Sequence, residues 1–178
     1  MEKTLFDADA VARMTARIAH EIVERNDDID NIVLVGIVRR GVTIAETIAE
    51  KIRVITRRNV DVGTLDITLY RDDLVELEPF PRVKKVDIGH NIGGRTVIIV
   101  DDVIYTGRTA RAAIDAIFDV GRPKCIQLVV LVDRGHRELP IRPDFVGKNV
   151  PTSQKEIIRV CVPEFDGISA ICIRTENE

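Results

Sequence analysis

The chain has 178 residues, of which 45% are apolar and 31% charged, and its formal net charge is −3. That length fits one domain able to bury a substantial core, and no apolar stretch approaches the ~20 residues of a membrane span. With a slightly acidic balance there is no global field to draw nucleic acid, so any RNA-binding surface has to be a local patch. Residues 1–4 lead into a charged amphipathic helix with no signal-peptide core. Cys125, Cys161 and Cys172 are odd in number, lack C-x-x-C spacing and sit in strand-like apolar runs. They read as reduced core thiols of a cytoplasmic protein.

In chain order, Asp7 suits a helix N-cap, with Phe6 placed to staple onto Val11. Val11, Met14, Ile18 and Ile22 keep helical spacing and define a core face as far as Arg25-Asn26. Arg13, Arg17, His20 and Glu24 form another stripe of the same helix; by spacing alone it is a solvated face. Ile32 to Val38 reads as a buried strand running through Arg39-Arg40-Gly41 into a helix marked by Ile44, Ile48 and Ile52. This suits a second anion, although on its own a plain strand–helix connection with exposed arginines is the better reading. Val60 to Leu69 reads as a strand, followed by a long polar excursion, roughly 70–94. A loop of that length in a compact domain is usually functional or disordered.

The chemistry concentrates in residues 97–109, V-I-I-V-D-D-V-I-Y-T-G-R-T. Val97 to Val100 is a buried parallel strand by composition. Asp101 and Asp102 follow, then the turn Tyr105-Thr106-Gly107-Arg108-Thr109 opens a helix to Val120. Ala110, Ala113, Ile114, Ile117 and Phe118 should face the sheet, with Gly121 at C′. Ligands of open α/β sheets bind beyond the carboxyl ends of the strands. The turn offers backbone N–H groups and two hydroxyls at a helix N-terminus, where an anion is favoured. The paired acids suit sugar hydroxyls, or a hydrated Mg²⁺ held by a few carboxylates plus substrate phosphate. A phosphorylated sugar fits both. Taken alone, acids after a strand equally serve as helix caps. Ile126 to Val132 is a further buried strand, and strands alternating with helices call for a parallel sheet with right-handed crossovers. Neither G-x-G-x-x-G after a strand nor G-x-x-x-x-G-K-[ST] occurs, which argues against a dinucleotide fold and a P-loop NTPase. A Pro-, Gly- and charge-rich stretch from Asp133 to Ser153 then leads to strands at Ile157–Val162 and Ile168–Ile173.

The whole string 97–109 closely resembles the phosphoribosyl-diphosphate signature of type I phosphoribosyltransferases. The resemblance implies a mostly parallel central sheet flanked by helices, a small hood at roughly 133–155 plus the C-terminal strands, and a mobile lid at roughly 70–94, all in one domain, 1–178. It implies that Asp101 and Asp102 face the ribose and, with the substrate phosphates, Mg²⁺. It implies that Val103, Tyr105, Thr106, Gly107, Arg108 and Thr109 hold the 5′-phosphate side of phosphoribosyl diphosphate or UMP. Arg39, Arg40 and Gly41 would then form the pyrophosphate loop, with Arg40 beside the acids as a catalytic residue and a non-proline cis peptide in the stretch Val38-Arg39-Arg40. Tyr70 and Arg71 would contribute to the same ligand.

The likeness narrows further on Arg17-Ile18-Ala19-His20-Glu21, Gly36-Ile37, 66–73, 101–111 and the stretch from Asp133. These resemble the bifunctional pyrimidine-operon attenuation regulators, which are also uracil phosphoribosyltransferases. Two activities are implied: uracil plus phosphoribosyl diphosphate gives UMP and pyrophosphate with Mg²⁺, and the protein binds pyrimidine-operon leader RNA in response to UMP. The backbone of Val132, Asp133 and Arg134 would read uracil. Arg17, His20, His136, Arg137, Arg142 and Lys148 would contact RNA, on a homodimer or higher homo-oligomer. Two departures stand out. The family's G-I-K-T-R-G is here Gly36-Ile37-Val38-Arg39-Arg40-Gly41, and the threonine usual before Arg-Ile-Ala-His is Ala16, with Thr15 about 100° round the helix. Two alternatives stay open: a phosphoribosyltransferase for another base such as a purine, and a binding-only regulator with a relic site.

Overall fold

A computed structural model describes residues 2–67 and 88–175. Its centre is a wholly parallel sheet in the order β3-β2-β4-β5-β6. The strands are β2 (Ile32–Ile37), β3 (Asp61–Leu65), β4 (Thr96–Ile104), β5 (Cys125–Asp133) and β6 (Phe145–Asn149). Three helices, α1 (Ala8–Arg25), α2 (Arg40–Thr56) and α3 (Arg108–Val120), cover its faces. Every residue of β2 is buried, as are Val97–Val100 of β4. A strand buried on both faces reads as a nearly continuous apolar run rich in β-branched residues, and these do.

The two faces have separate cores. Ile18 and Ile22 of α1 and Ile44, Ile48 and Ile52 of α2 pack on Leu34, Ile98, Val100, Val129 and Leu131. Ala110, Ala113, Ala116 and Ile117 of α3 pack on Val33, Val35, Val97, Ile99 and Val130. Phe118, expected on that face, is 54% exposed instead, while Ala112 and Ala116 are buried, so the buried face of α3 is made mostly of alanines.

A second, antiparallel sheet, β1-β8-β7, comes from β1 (Glu2–Phe6), β7 (Glu156–Cys161) and β8 (Ala170–Thr175). A short helix, α4 (Pro163–Asp166), joins β7 to β8. Ile158, Val160 and Ile171 of this sheet enter the α1/α2 core, so it sits on the main body as a hood.

Several expectations change. The start of the chain pairs with β8 as a strand before α1 begins; one half-exposed strand with a five-residue sequence carries little periodic signal. The N-cap is as expected, Asp7 accepting from Ala10 N at 2.9 Å. The strand expected at 60–69 spans Asp61–Leu65, with Asp66 and Ile67 beyond its end; residues 68–69 and most of the expected lid lie outside the described residues, which resume at 88. Phe145–Asn149, expected within the hood, is the edge strand of the main sheet. Its F-V-G-K-N sequence has too few apolar residues to read as a strand. Gly121 is the C-cap of α3 itself, in an extended conformation at φ 179°. Cys161 and Cys172 are buried, but Cys125 is exposed, because β5 begins at the rim of the sheet.

Candidate active site and adjoining basic surface

The strand β4 continues through the acid pair to Ile104, so Asp101 and Asp102 project from its carboxyl end and not from a loop. Asp101 accepts from Asp102 N at 2.9 Å, and Asp102 accepts from Val103 N at 2.8 Å. Each carboxylate is thereby fixed by one oxygen. Burial pushes the Asp101 carboxyl well above the usual carboxylate range, and the neighbouring Asp102 charge adds to this. Burial also raises Asp102, against its hydrogen bond from Val103 and the charge of Arg40. Such a pair gains most from a ligand that brings positive charge or hydroxyl donors.

Three strand ends meet here. A cavity of about 250 Å³ is lined by Ile37, Val38, Asp66, Ile67, Asp101, Asp102, Val103 and Thr109. Val38 N closes the end of β2 on β3 through Leu65 O at 3.0 Å. The Val38–Arg39 peptide bond is cis, as the resemblance implied. Arg39 is exposed, whereas Arg40, at the start of α2, turns inward. Gly41 follows because nothing larger fits: a Cβ there would lie 2.4 Å from Val100 O.

The turn after β4 is tied to the loop that follows β5. Gly107 caps α3 at φ 93°, a left-handed conformation that favours glycine. Thr106 O accepts from Glu138 N and Leu139 N at 2.9 and 3.2 Å, and Thr106 Oγ1 accepts from Arg108 N at 3.3 Å. Arg108 is exposed and pairs with Glu138 at 2.7 Å. Tyr105 packs under the Arg134 guanidinium at 4.0 Å and meets His136 edge-on at 5.7 Å.

Val132, Asp133 and Arg134 end β5 beside the acids. Val132 is buried within the sheet. Asp133 O accepts from Val150 N at 2.8 Å, and Arg134 N donates to Ile104 O at 3.1 Å. The Arg134 guanidinium donates to Thr152 Oγ1 at 3.0 Å and Ser153 O at 3.2 Å. These groups are engaged within the fold. Tyr70 and Arg71 lie outside the described residues.

The basic residues converge from distant parts of the chain. Arg17 of α1 donates to Val146 O at 2.9 Å and Gly147 O at 2.6 Å, on the open edge of β6. Lys148 is the next residue of that strand and is exposed, as is His20 one turn along α1. His136, Arg137 and Arg142 line one cavity of about 350 Å³ with Asp133, Asn149 and Pro151. Arg137 is partly consumed there: it donates to Ile141 O, Tyr105 O and Asp133. His136 bonds Thr152 O at 2.6 Å. The Thr15 hydroxyl is buried and donates to Val11 O and Ala12 O, so it does not stand in for a threonine at Ala16.

Two residues in or around the site were not singled out from sequence. Asp66 lines the cavity with the acids, and Asp166 of α4 pairs with Arg40 at 3.1 Å. Asp66 belongs to the segment 66–73, which carries the resemblance but implies no role for Asp66 itself; Asp166 stands with Glu164 in a four-residue helix, with no local signal to mark it.

The architecture and the sequence have clear relatives. The phosphoribosyl transferase domain matches residues 1–164. The Bifunctional protein PyrR of Clostridioides difficile (strain 630) is 58% identical over 170 residues, 96% of each chain. That of Thermoanaerobacter pseudethanolicus is 59% identical over 169 residues, 95% of each. Among solved structures, the hypoxanthine phosphoribosyltransferase of Trypanosoma cruzi superposes with a TM-score of 0.72 over 98% of this chain and 97% of that one. At 18% identity this speaks to the fold alone. With a parallel sheet ending in paired acids and a glycine turn opening a helix, and with identity above one half along nearly its whole length, the chain belongs to the phosphoribosyltransferase family and, within it, to the bifunctional PyrR proteins.

Proposed function

We propose that the chain makes UMP and pyrophosphate from uracil and phosphoribosyl diphosphate, and that it binds pyrimidine-operon leader RNA in response to UMP. The observation that carries the enzyme reading is the pairing of Asp101-Asp102 with an intact Thr106–Thr109 turn at the end of the central strand. A relic site would have no need of both.

In the transfer, the bond between the anomeric carbon and pyrophosphate breaks, a bond to uracil N1 forms, and the N1 proton passes to the departing pyrophosphate or to water. The carbon becomes cation-like as charge builds on the leaving group. Asp101 and Asp102 face the sugar, the Thr106–Thr109 turn holds the 5′-phosphate, and Arg39 and Arg40 face the pyrophosphate. Among the described residues, no group of three or more His, Cys, Asp or Glu side chains forms a metal cage. Two carboxylates with one oxygen each fixed by the backbone suit Mg²⁺ shared with substrate phosphates. Bound there, Mg²⁺ supplies charge neutralisation for the departing pyrophosphate. Uracil sits at the carboxyl end of β5, where the backbone of Val132, Asp133 and Arg134 faces its edge; Arg134 N is already engaged by Ile104 O, whereas Asp133 O holds one donor, Val150 N, and can accept a second.

The RNA surface runs from Arg17 and His20 across Lys148 to the cavity of His136, Arg137 and Arg142. Aromatic residues make up only 4% of the chain, so contacts to phosphates and base edges carry recognition, not base stacking on a sheet. Tyr105 lies between the nucleotide turn and His136, which gives UMP a physical route to that surface. A two-fold homodimer, formed in the cytoplasm, would double the patch into one face; no described helix is long and apolar enough to cross a membrane.

The test is binding of pyrimidine-operon leader RNA with and without UMP, beside turnover of uracil, hypoxanthine and guanine with phosphoribosyl diphosphate. UMP should tighten the RNA, and RNA should tighten UMP by the same factor. Turnover of a purine in place of uracil, or RNA binding indifferent to UMP, would overturn the corresponding half. A monomer in sedimentation at micromolar concentration that still holds RNA tightly would remove the dimer.

A further inference from the structure

Arg40 stands at the mouth of the Val38–Gly41 loop, and its partner comes from the hood. Its Nη2 donates to both oxygens of Asp166, at 3.1 and 3.3 Å. Asp166 is the last residue of α4, 126 positions away along the chain. Its side chain is 5% exposed. The same carboxylate accepts from Val162 N at 2.9 Å and from Arg159 Nη2 at 2.6 Å. The Val162 amide and the two guanidinium groups hold its carboxyl at about 2, so it is ionised at working pH. Arg40 also lines a cavity of about 360 Å³ with Asp102, bounded by Ile157, Ile158 and Arg159 of β7. Arg40 Nε is buried and has no hydrogen-bond partner among the described residues.

A guanidinium is a rigid fork, so gripping one tine fixes the direction of the rest. We propose that Asp166 is a positioning residue for phosphoribosyl transfer: by holding Arg40 Nη2 from the hood side, it sets the plane of that guanidinium and with it the direction in which Nη1 meets the pyrophosphate group. A donor already oriented stabilises developing charge without reorganising during the reaction. The inference rests on the reading of Val38–Gly41 as the pyrophosphate loop. It also means that the hood, through α4, takes part in binding the leaving group.

The experiment compares two ligands in the full chain. Pyrophosphate with Mg²⁺ and UMP are titrated separately, by calorimetry, into the parent, Asp166→Asn, Arg40→Gln and the double variant. Asp166→Asn should weaken pyrophosphate at least tenfold and leave UMP within twofold, since UMP does not use the loop. The double variant should bind pyrophosphate no more weakly than Arg40→Gln alone, because Asp166 acts through Arg40. Unchanged pyrophosphate affinity in Asp166→Asn, or additive losses in the double variant, overturns the proposal. If Asp166→Asn loses UMP as well, Asp166→Glu, which keeps the charge and moves it by one methylene, takes its place; equal weakening of both ligands there also overturns it. A parent chain that binds UMP but not pyrophosphate would sink the loop assignment itself, a result distinct from any of these.

Discussion

Replacing Gly41 by alanine should disable the enzyme while leaving a folded protein. Gly41 is the second residue of α2, which starts beside the end of β4. An added Cβ would sit 2.4 Å from Val100 O, about 1 Å short of the 3.4 Å at which ordinary contact begins, and 3.5 Å from Asp101 Cα. The atom met is backbone in the middle of the sheet, so it cannot swing away. The start of α2, carrying Arg40, must retreat by about that 1 Å from the acids. Overpacking of this kind costs about 1–3 kcal/mol. Alanine in a helix recovers up to about 1 kcal/mol relative to glycine, so the net loss of stability is of order 0–2 kcal/mol. For a chain of this size that lowers Tm by roughly 0–8 °C. A displacement of 1 Å in a positioning group costs on the order of 10²-fold in rate. UMP formation measured as kcat/KM for phosphoribosyl diphosphate should therefore fall about a hundredfold, with a cooperative melt retained. A variant within threefold of the parent would show that the close approach of α2 to β4 does not set the geometry of the site.

Converting Asp101 and Asp102 together to asparagine should cut turnover by at least about 10³-fold; since burial disfavours both charges, the melting temperature should hold or rise, and near-normal turnover in that folded variant would refute the assignment. Acid should loosen the hood through Asp166: its folded pKa of about 2 lies below that of an ordinary aspartate, 3.8, so its stabilising pairings are complete above about pH 4 and are lost as pH falls towards 2, and the Tm difference between parent and Asp166→Asn should shrink over that window. Lys148→Gln should weaken every RNA alike and lower the salt slope by roughly 0.7–0.9, with Tm unchanged. Arg17→Gln should weaken RNA and also lower Tm, by about 1 kcal/mol of stability, because Arg17 donates to the β6 carbonyls; an unchanged melt would mean those bonds contribute nothing in solution.

The sequence alone determined what depends on neighbours along the chain. The buried strands β2, β4 and β5 show as runs rich in Val, Ile and Leu, and α1 and α2 show as apolar residues three and four apart, because strand and helix periods are local. The chemistry of the β4–α3 junction was legible for the same reason: strand, acids, turn and helix cap are consecutive. What lacked local period went unread. β1 and β6 are short, polar and half exposed, and each is a strand only because a partner strand lies beside it. The tertiary structure alone decided which charges meet. Arg17 reaches a strand 130 residues away, and Asp166 reaches Arg40 across 126. It also turned Arg137 from a free basic residue into a clamp on Tyr105 and Asp133. Such pairings follow from the order in which strands enter a sheet and from where a hood settles on its core, and no spacing within the chain encodes either.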